Sequence, residues 1–429
     1  MKFTAVGDMI IQKRIYEDFE GYKELTPFIE KGDARFFNLE TTLNYDGDTC
    51  GSQFSGGTYL RCMPEVLDDI KKFGFNMTSF NNNHVLDFFY DGLLSTMTAV
   101  NESGLVNSGV GRNLAEASCP RYLETKNGRV ALISVNTSFD ASAMAGEQSA
   151  RFPGRPGING LRIESHIELP KEELEHIKRI ACATNINAAK EITRKEGYHA
   201  ELEEDECELG ELKFKLGKEP KHVMKIKEAD MLRVEKAIYE AKLQADYIMI
   251  SIHSHQLSGD KKENPSEFLI DFAHRCIDAG ANAIVGHGPH LLRPIEVYKD
   301  CPIFYSLGDF ILQLYSVEAA PADFFEKQNL KSDATVHELL KKRSKNFTVG
   351  LMTDPRMFRS VIPMWETENG KLTKLTLMPI EMSMDSHKAD IGLPRRSYNP
   401  EIYEYLAKMC EPYGTKLTLE EDGLITCKW

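Results

Sequence analysis

Ala283-Ile284-Val285 is a short apolar run closed by Gly286 and followed at once by His287-Gly288-Pro289-His290. Such a run reads as a buried parallel strand, and the residues just past the carboxyl end of a parallel strand form the crevice in which α/β proteins bind ligands. Gly288-Pro289 makes a sharp, stiff turn that can aim both imidazoles at one space, and imidazole is the commonest metal ligand. A surface turn with two solvated histidines would have the same local sequence. The rest of the chain decides between the two.

Four more apolar runs end in polar donors. Lys2 to Val6 leads into Gly7-Asp8, where Asp8 either caps a helix over Met9 to Phe19 or stands as a carboxylate at a strand end. Ala34 to Leu43 carries Asn38 and Glu40, and a carboxylate directly after a buried strand calls for a cation, because an unpaired buried charge is costly. Phe75 to Phe80 runs into Asn81-Asn82-Asn83-His84, with Asp87 close behind, and Asp246 to Ile252 ends at His253-Ser254-His255. In a parallel or mixed sheet, strand ends lie together although they are far apart in sequence. Carboxylate, amide oxygen and imidazole without thiolate are the donors that a pair of borderline divalent metals takes.

Helices are expected over Pro64 to Phe73 and Leu93 to Ser103, and a further strand over Arg129 to Val135, so the chain alternates as a layered α/β domain does. The pattern then changes. Ala141 to Gly160 is a Gly/Pro-rich loop, Lys171 to Glu196 reads as a helix pair or one broken helix, and Glu201 to Glu211 is an acidic run. Residues 141–225 are therefore expected to form a helical insertion that acts as a lid. Alternation resumes with helices over Ala229 to Gln244 and Asn264 to Gly280, and Pro302 to Phe310 is one more strand end bearing polar residues. Phe347 to Thr353, Arg359 to Glu366 and Leu372 to Ile380 alternate as an antiparallel β meander with a hairpin turn at Glu368-Asn369-Gly370, before a helix over Asn399 to Cys410. The expected layout is a main domain over 1–315 and an α+β extension over 316–429 that packs on it.

A net charge of −13 opposes binding to nucleic acid and to anionic membranes. Nine scattered cysteines without a CxxC pair argue against a disulfide framework and a thiolate zinc site. The start MKFTAVGDMI lacks a charged segment followed by a long apolar one, and no run reaches the ~18 apolar residues of a membrane span. The expected location is cytoplasmic. No GxxxxGK loop is present, Gly109-Val110-Gly111 is too short for a dinucleotide fingerprint, and neither Ser251 nor Ser306 sits in a GxSxG elbow.

Gly7-Asp8, Asn38-Leu39-Glu40-Thr41, Asn82-Asn83-His84 with Asp87, His253, Gly286 to His290 and Tyr305 to Phe310 occur in this order. The set resembles the CapA-type poly-γ-glutamate capsule-synthesis family, which is similar to the calcineurin-like metallophosphoesterases. The resemblance covers roughly 1–135 and 225–315. It implies an α/β fold, a four-layer metallophosphoesterase-like sandwich of two packed mixed β-sheets flanked by helices, and a site for two divalent ions (Mn, Fe or Zn). In that scheme Asp8 and His290 hold one ion, Asn83, His253 and His287 hold the other, and Glu40 bridges them. His84 is then the uncoordinated acid, with Asp87 its orienter. Departures from the classical pattern are Ile10 in place of a histidine, Glu40 in place of an aspartate, and the two-residue spacer Gly288-Pro289. His255 could supply the missing ligand or a base.

The leading expectation is a metal-dependent hydrolase that sets an activated water on a phosphoester or a γ-glutamyl amide, with a small-molecule or peptide, polyglutamate-like substrate. Two alternatives stand beside it: a metal-assisted peptide epimerase or amide-transfer enzyme, and a non-catalytic binding protein for an acidic polymer or peptide.

Overall fold

The computed structural model describes residues 1–384 and 389–429, which divide into two compact units, Met1–Leu161 with Met231–Trp429, and Arg162–Asp230.

The first unit is built on two mixed sheets. The ten-stranded sheet is centred on Lys2–Ile10, which pairs in parallel with Ala34–Leu39. Met77–Ser79 and Val106–Ser108 extend that side in parallel. On its other side the Lys2–Ile10 strand meets two partners in succession: Arg359–Glu368, antiparallel, along Lys2 to Thr4, and Asp309–Leu312, parallel, from Asp8 to Ile10. The six-stranded sheet has a parallel centre of Gly128–Asn136, Tyr247–His253, Ala283–His287 and Cys301–Phe304, with antiparallel strands at its edges.

Side-chain alternation gives each sheet two apolar faces. Phe3, Phe36 and Met77 from the larger sheet share one core with Val130, Met249, Val285 and Phe304 from the smaller. Phe3 stacks on Tyr247 at 4.0 Å between ring centroids, and the Trp365 indole donates to the Tyr247 hydroxyl at 2.9 Å. Ile248, Ile250 and Ile252 point to the opposite side of their strand and are equally buried. That burial on both faces is why the strand reads as a continuous apolar run. Across the larger sheet, Val6, Met9, Phe37 and Leu39 pack with Leu25, Ile70, Leu93 and Met97 of the helices Glu20–Ile29, Val66–Lys71 and Phe89–Glu102.

Three sequence expectations change here. Met9 to Phe19 is not a helix: Met9 and Ile10 stay in the first strand, paired with Ile311 and Leu312, and the first helix begins at Glu20. The ladder on both sides overrides the local pattern. Phe347 to Thr353 forms no strand, only a turn and the short 3₁₀ segment Leu351–Thr353. The remaining C-terminal strands are not an extension laid on the main domain but part of its sheet, because Arg359–Glu368 bonds directly to the first strand, Lys2 opposite Glu366 and Thr4 opposite Met364. The expected hairpin is present. Asn369 at φ 52° and Gly370 at φ 77° form the two-residue, left-handed turn that matches strand twist.

The second unit departs from the expected helical insertion over 141–225. It begins later, at Arg162, and is α+β: a sheet in the order Glu206–Leu209, Leu212–Leu216, Ile163–Leu169, Lys221–Ile226, with helices Lys171–Thr184 and Ala188–Lys195. Its small core holds Leu174, Cys207 and Phe214 with Ile167, Leu169 and Ile177. Residues 141–161 belong to the first unit, where Gly157–Ile158 pairs with Val110–Gly111. Among the described residues, no helix is long and apolar enough to cross a membrane.

Candidate metal centre

The first strand bends where it must deliver a carboxylate. Its register with Ala34–Leu39 breaks between Ala5 and Asp8, and its register with Asp309–Leu312 breaks between Asp8 and Met9. Such irregularities re-aim side chains next to functional sites. Gly7 permits the bend, since a Cβ there would lie 1.8 Å from the Gly308 carbonyl oxygen. Asp8 is then fixed from three directions. Its amide donates to Gly308 O at 2.9 Å, its Oδ2 accepts from the Gly288 amide at 2.8 Å, and its Oδ1 accepts from the Asn38 side chain at 2.7 Å.

Glu40 follows the neighbouring strand, with its amide on Met9 O at 3.1 Å. Both of its carboxylate oxygens are buried without a hydrogen-bond partner among the described residues, and Asp309 Oδ2 shares that state. Burial pushes the Glu40 carboxyl well above the usual range, and the charges of Asp8 and Asp309 add to it. Burial and Asp309 likewise push Asp8 up to about 6, opposed by His290, the Gly288 amide and Asn38. Three crowded carboxyls without enough donors are what a cation would relieve, so these residues fit a metal ion.

The histidines complete the donor set. His290 sits at φ 61°, a strained position for a non-glycine residue, and places Nδ1 2.9 Å from Asp309 Oδ1. Burial alone would lower its pKa, but Asp309 outweighs this and holds it above the usual value. His287 places Nε2 2.7 Å from Ser251 Oγ, and its Nδ1 lies 2.9 Å from His253 Nδ1 and 3.5 Å from Asp8 Oδ1. His253 Nε2 lies 2.8 Å from Asn83 Oδ1, 2.9 Å from His255 Nε2 and 3.8 Å from Glu40 Oε1. Burial pushes His287 down to about 3, and burial followed by the adjacent imidazoles pushes His253 well below the usual value. Neutral imidazoles are the form that binds metals.

Ligand atoms within 4.8 Å of one another form three groups: Asp8, His253 and His287; Glu40, His253 and His255; and Asp8, Glu40, His290 and Asp309. These clusters could hold metal. His255, expected as a further ligand or a base, lies with Glu40 and His253. Asp8, expected beside His290, also lies with His253 and His287, and Asp309, not singled out in the sequence as a donor, joins Asp8, Glu40 and His290. Asp309 stands opposite Asp8 in the parallel ladder, at the start of its strand rather than directly after the apolar run that precedes it. Ile10, the position of the absent histidine, is packed among Leu60, Leu291 and Leu312.

His84 borders this cluster. Its Nδ1 lies 2.7 Å from Asp87 Oδ2 and its Nε2 3.8 Å from Glu40 Oε1. Asp87 is itself immobilised by the amides of Gly56 at 2.9 Å and Leu60 at 2.8 Å, and Asn83 reaches Gly56 O at 3.3 Å. The Gly-rich stretch is thus bonded to the site.

Fold and cluster together define a mixed α/β protein with a buried carboxylate and imidazole centre at converging strand ends. The family model of the bacterial capsule synthesis protein PGA_cap matches residues 2–314, and the chain belongs to that family. It is 32% identical to the uncharacterized protein y4sH of Sinorhizobium fredii, over 98% of this chain and 92% of that protein. It is also similar to the capsule biosynthesis protein CapA of Bacillus anthracis, 23% identical over 72% of this chain and 59% of the other. The PGA biosynthesis protein CapA of Bacillus subtilis is 32% identical over 32% of this chain and 37% of its own.

Proposed function

We propose that the protein is a metal-dependent hydrolase of the calcineurin-like type, and that its larger unit is a four-layer metallophosphoesterase-like sandwich whose strand-end cluster holds two divalent cations of the Mn, Fe or Zn class. Glu40 carries this reading. Neither of its oxygens has a partner among the described residues, and it belongs both to the group of Asp8, His290 and Asp309 and to the group of His253 and His255. Ions held there would supply a hydroxide nucleophile near neutral pH and stabilise charge on the attacked group.

The chain's own residues do the rest. Asp87, held by two backbone amides, accepts from Nδ1 of His84 and so directs Nε2 toward the cluster. A proton taken up at His84 Nε2 can then pass to the leaving group, or be donated as a hydrogen bond to the developing oxyanion. His253 and His287, kept neutral by burial, present lone pairs rather than charge. The names of the CapA relatives point to a capsule polymer, so the proposed substrate is a γ-glutamyl amide or a phosphoester from that chemistry.

His84→Ala, assayed on phosphoester and γ-glutamyl peptide panels with metal content measured in parallel, is expected to lose about 10²-fold or more in turnover and keep its metal. Full turnover in that variant would remove His84 from the reaction.

A further inference from the structure

Residues 254–266 run from the His253 strand end to the helix Glu267–Ala279. The segment is held firmly. Arg293, fully buried, donates to the carbonyls of Lys262 at 2.9 Å, Gln256 at 2.9 Å and Ser254 at 3.4 Å. The Ser254 amide bonds His287 O at 2.9 Å, the His255 amide bonds Ser138 Oγ at 2.8 Å, and Leu257 bridges Pro265. One buried guanidinium therefore fixes the backbone of Lys262 relative to His255.

The Lys262 ammonium has no use within the described chain. It is half-buried and makes no hydrogen bond or ion pair among the described residues. The acids around it are engaged: Glu263 and Asp354 both pair with Arg356, and Asp309 pairs with His290. The guanidinium that holds the Lys262 carbonyl also holds those of Ser254 and Gln256, on either side of His255, which places Lys262 at the edge of the metal centre. Burial pulls its pKa below the usual value, opposed by Asp309 and Asp354 and reinforced by Arg293 and Arg356. A cation half removed from water without a counter-charge is costly, and a chain with a net charge of −13 has no shortage of carboxylates to supply one.

We propose that Lys262 receives an anionic oxygen of the substrate, on a carboxylate or a phosphoryl group, beside the bond attacked at the centre. The proposal rests on the hydrolase reading for the identity of its occupant. Ions at the centre would act on the attacked group, and the Lys262 charge at the rim selects among substrates by a further anionic oxygen beside it. Lys262 is then a specificity-determining residue.

The test is calorimetric binding of inorganic phosphate and of glutarate to the Mn-loaded full chain, as wild type, Lys262→Met and Lys262→Arg, with metal content measured for each. Lys262→Met is expected to weaken binding of one of the two anions by about tenfold or more, the loss of one charge-assisted hydrogen bond, while Lys262→Arg retains most of it and metal content holds in both. Loss confined to phosphate identifies a phosphoryl group, and loss confined to glutarate a carboxylate. Equal binding by wild type and Lys262→Met, or no binding of either anion to wild type, overturns the proposal. Failure of the hydrolase reading shows separately, as absent metal or absent turnover.

Discussion

Glu40 is buried with both carboxylate oxygens unpartnered among the described residues, a state that a bound cation would relieve. The side chains around it are positioned by backbone that leaves little latitude. Gly7 is the clearest case, because the Gly308 carbonyl oxygen occupies the place of its missing side chain. Gly7→Ala must push two backbones apart, so it is expected to cost about 1–3 kcal/mol in urea unfolding and to reduce metal uptake with it. Wild-type metal content in a stable Gly7→Ala protein would show that Asp8 is not placed by this approach. Asp87 acts through His84, and Asp87→Asn is expected to lower turnover by about 10–100-fold without loss of metal. Asp87→Glu, which keeps a carboxylate beside the ring, should recover part of the lost turnover. An equal loss in Asp87→Asn and Asp87→Glu, with a lowered unfolding midpoint in both, would mean that Asp87 only supports the fold.

At the scale of elements, legibility in the sequence follows burial. Strands covered on both faces read as apolar runs, so the ends bearing Asp8, Glu40, His253 and His287 are visible in the residue order alone. Asp309 opens its strand instead of closing one, so the polar end read over Pro302 to Phe310 does not single it out as a donor. The sheet of the second unit is hidden for a related reason. Its strands carry Lys213, Lys215 and Glu206 around few apolar residues, while the 3.6-residue period of Lys171–Thr184 is plain. That sheet makes its own prediction. Burial raises the Glu206 carboxyl, but Lys215 and Lys213 more than reverse this and hold it at about 2. A carboxyl lowered on folding stabilises above its unfolded value, about 4.3, and that contribution drains away as pH falls toward 2. Amide exchange in Glu206–Leu209 and Leu212–Leu216 should therefore accelerate between pH 4.5 and pH 2, and Lys215→Met should weaken this dependence. Exchange independent of pH, after correction for the intrinsic rate, would contradict the assignment.

For the whole molecule, the two sheets and their shared core fix where strand ends meet, and residues as distant as Asp8 and His290 become neighbours. Alternating polarity marks Arg359–Glu368 and Lys371–Met382 as strands, but not the pairing of the first with Lys2 to Thr4, since pairing partners leave no local mark. The convergence of these strand ends is proposed to hold metal. The direct measurement is elemental analysis of the protein purified without chelator, beside Glu40→Ala and His290→Ala. About two equivalents of Mn, Fe or Zn per chain are expected in the wild type, and fewer in both variants at unchanged circular dichroism. No bound metal in the wild type, even after Mn or Zn is added back, would contradict the account.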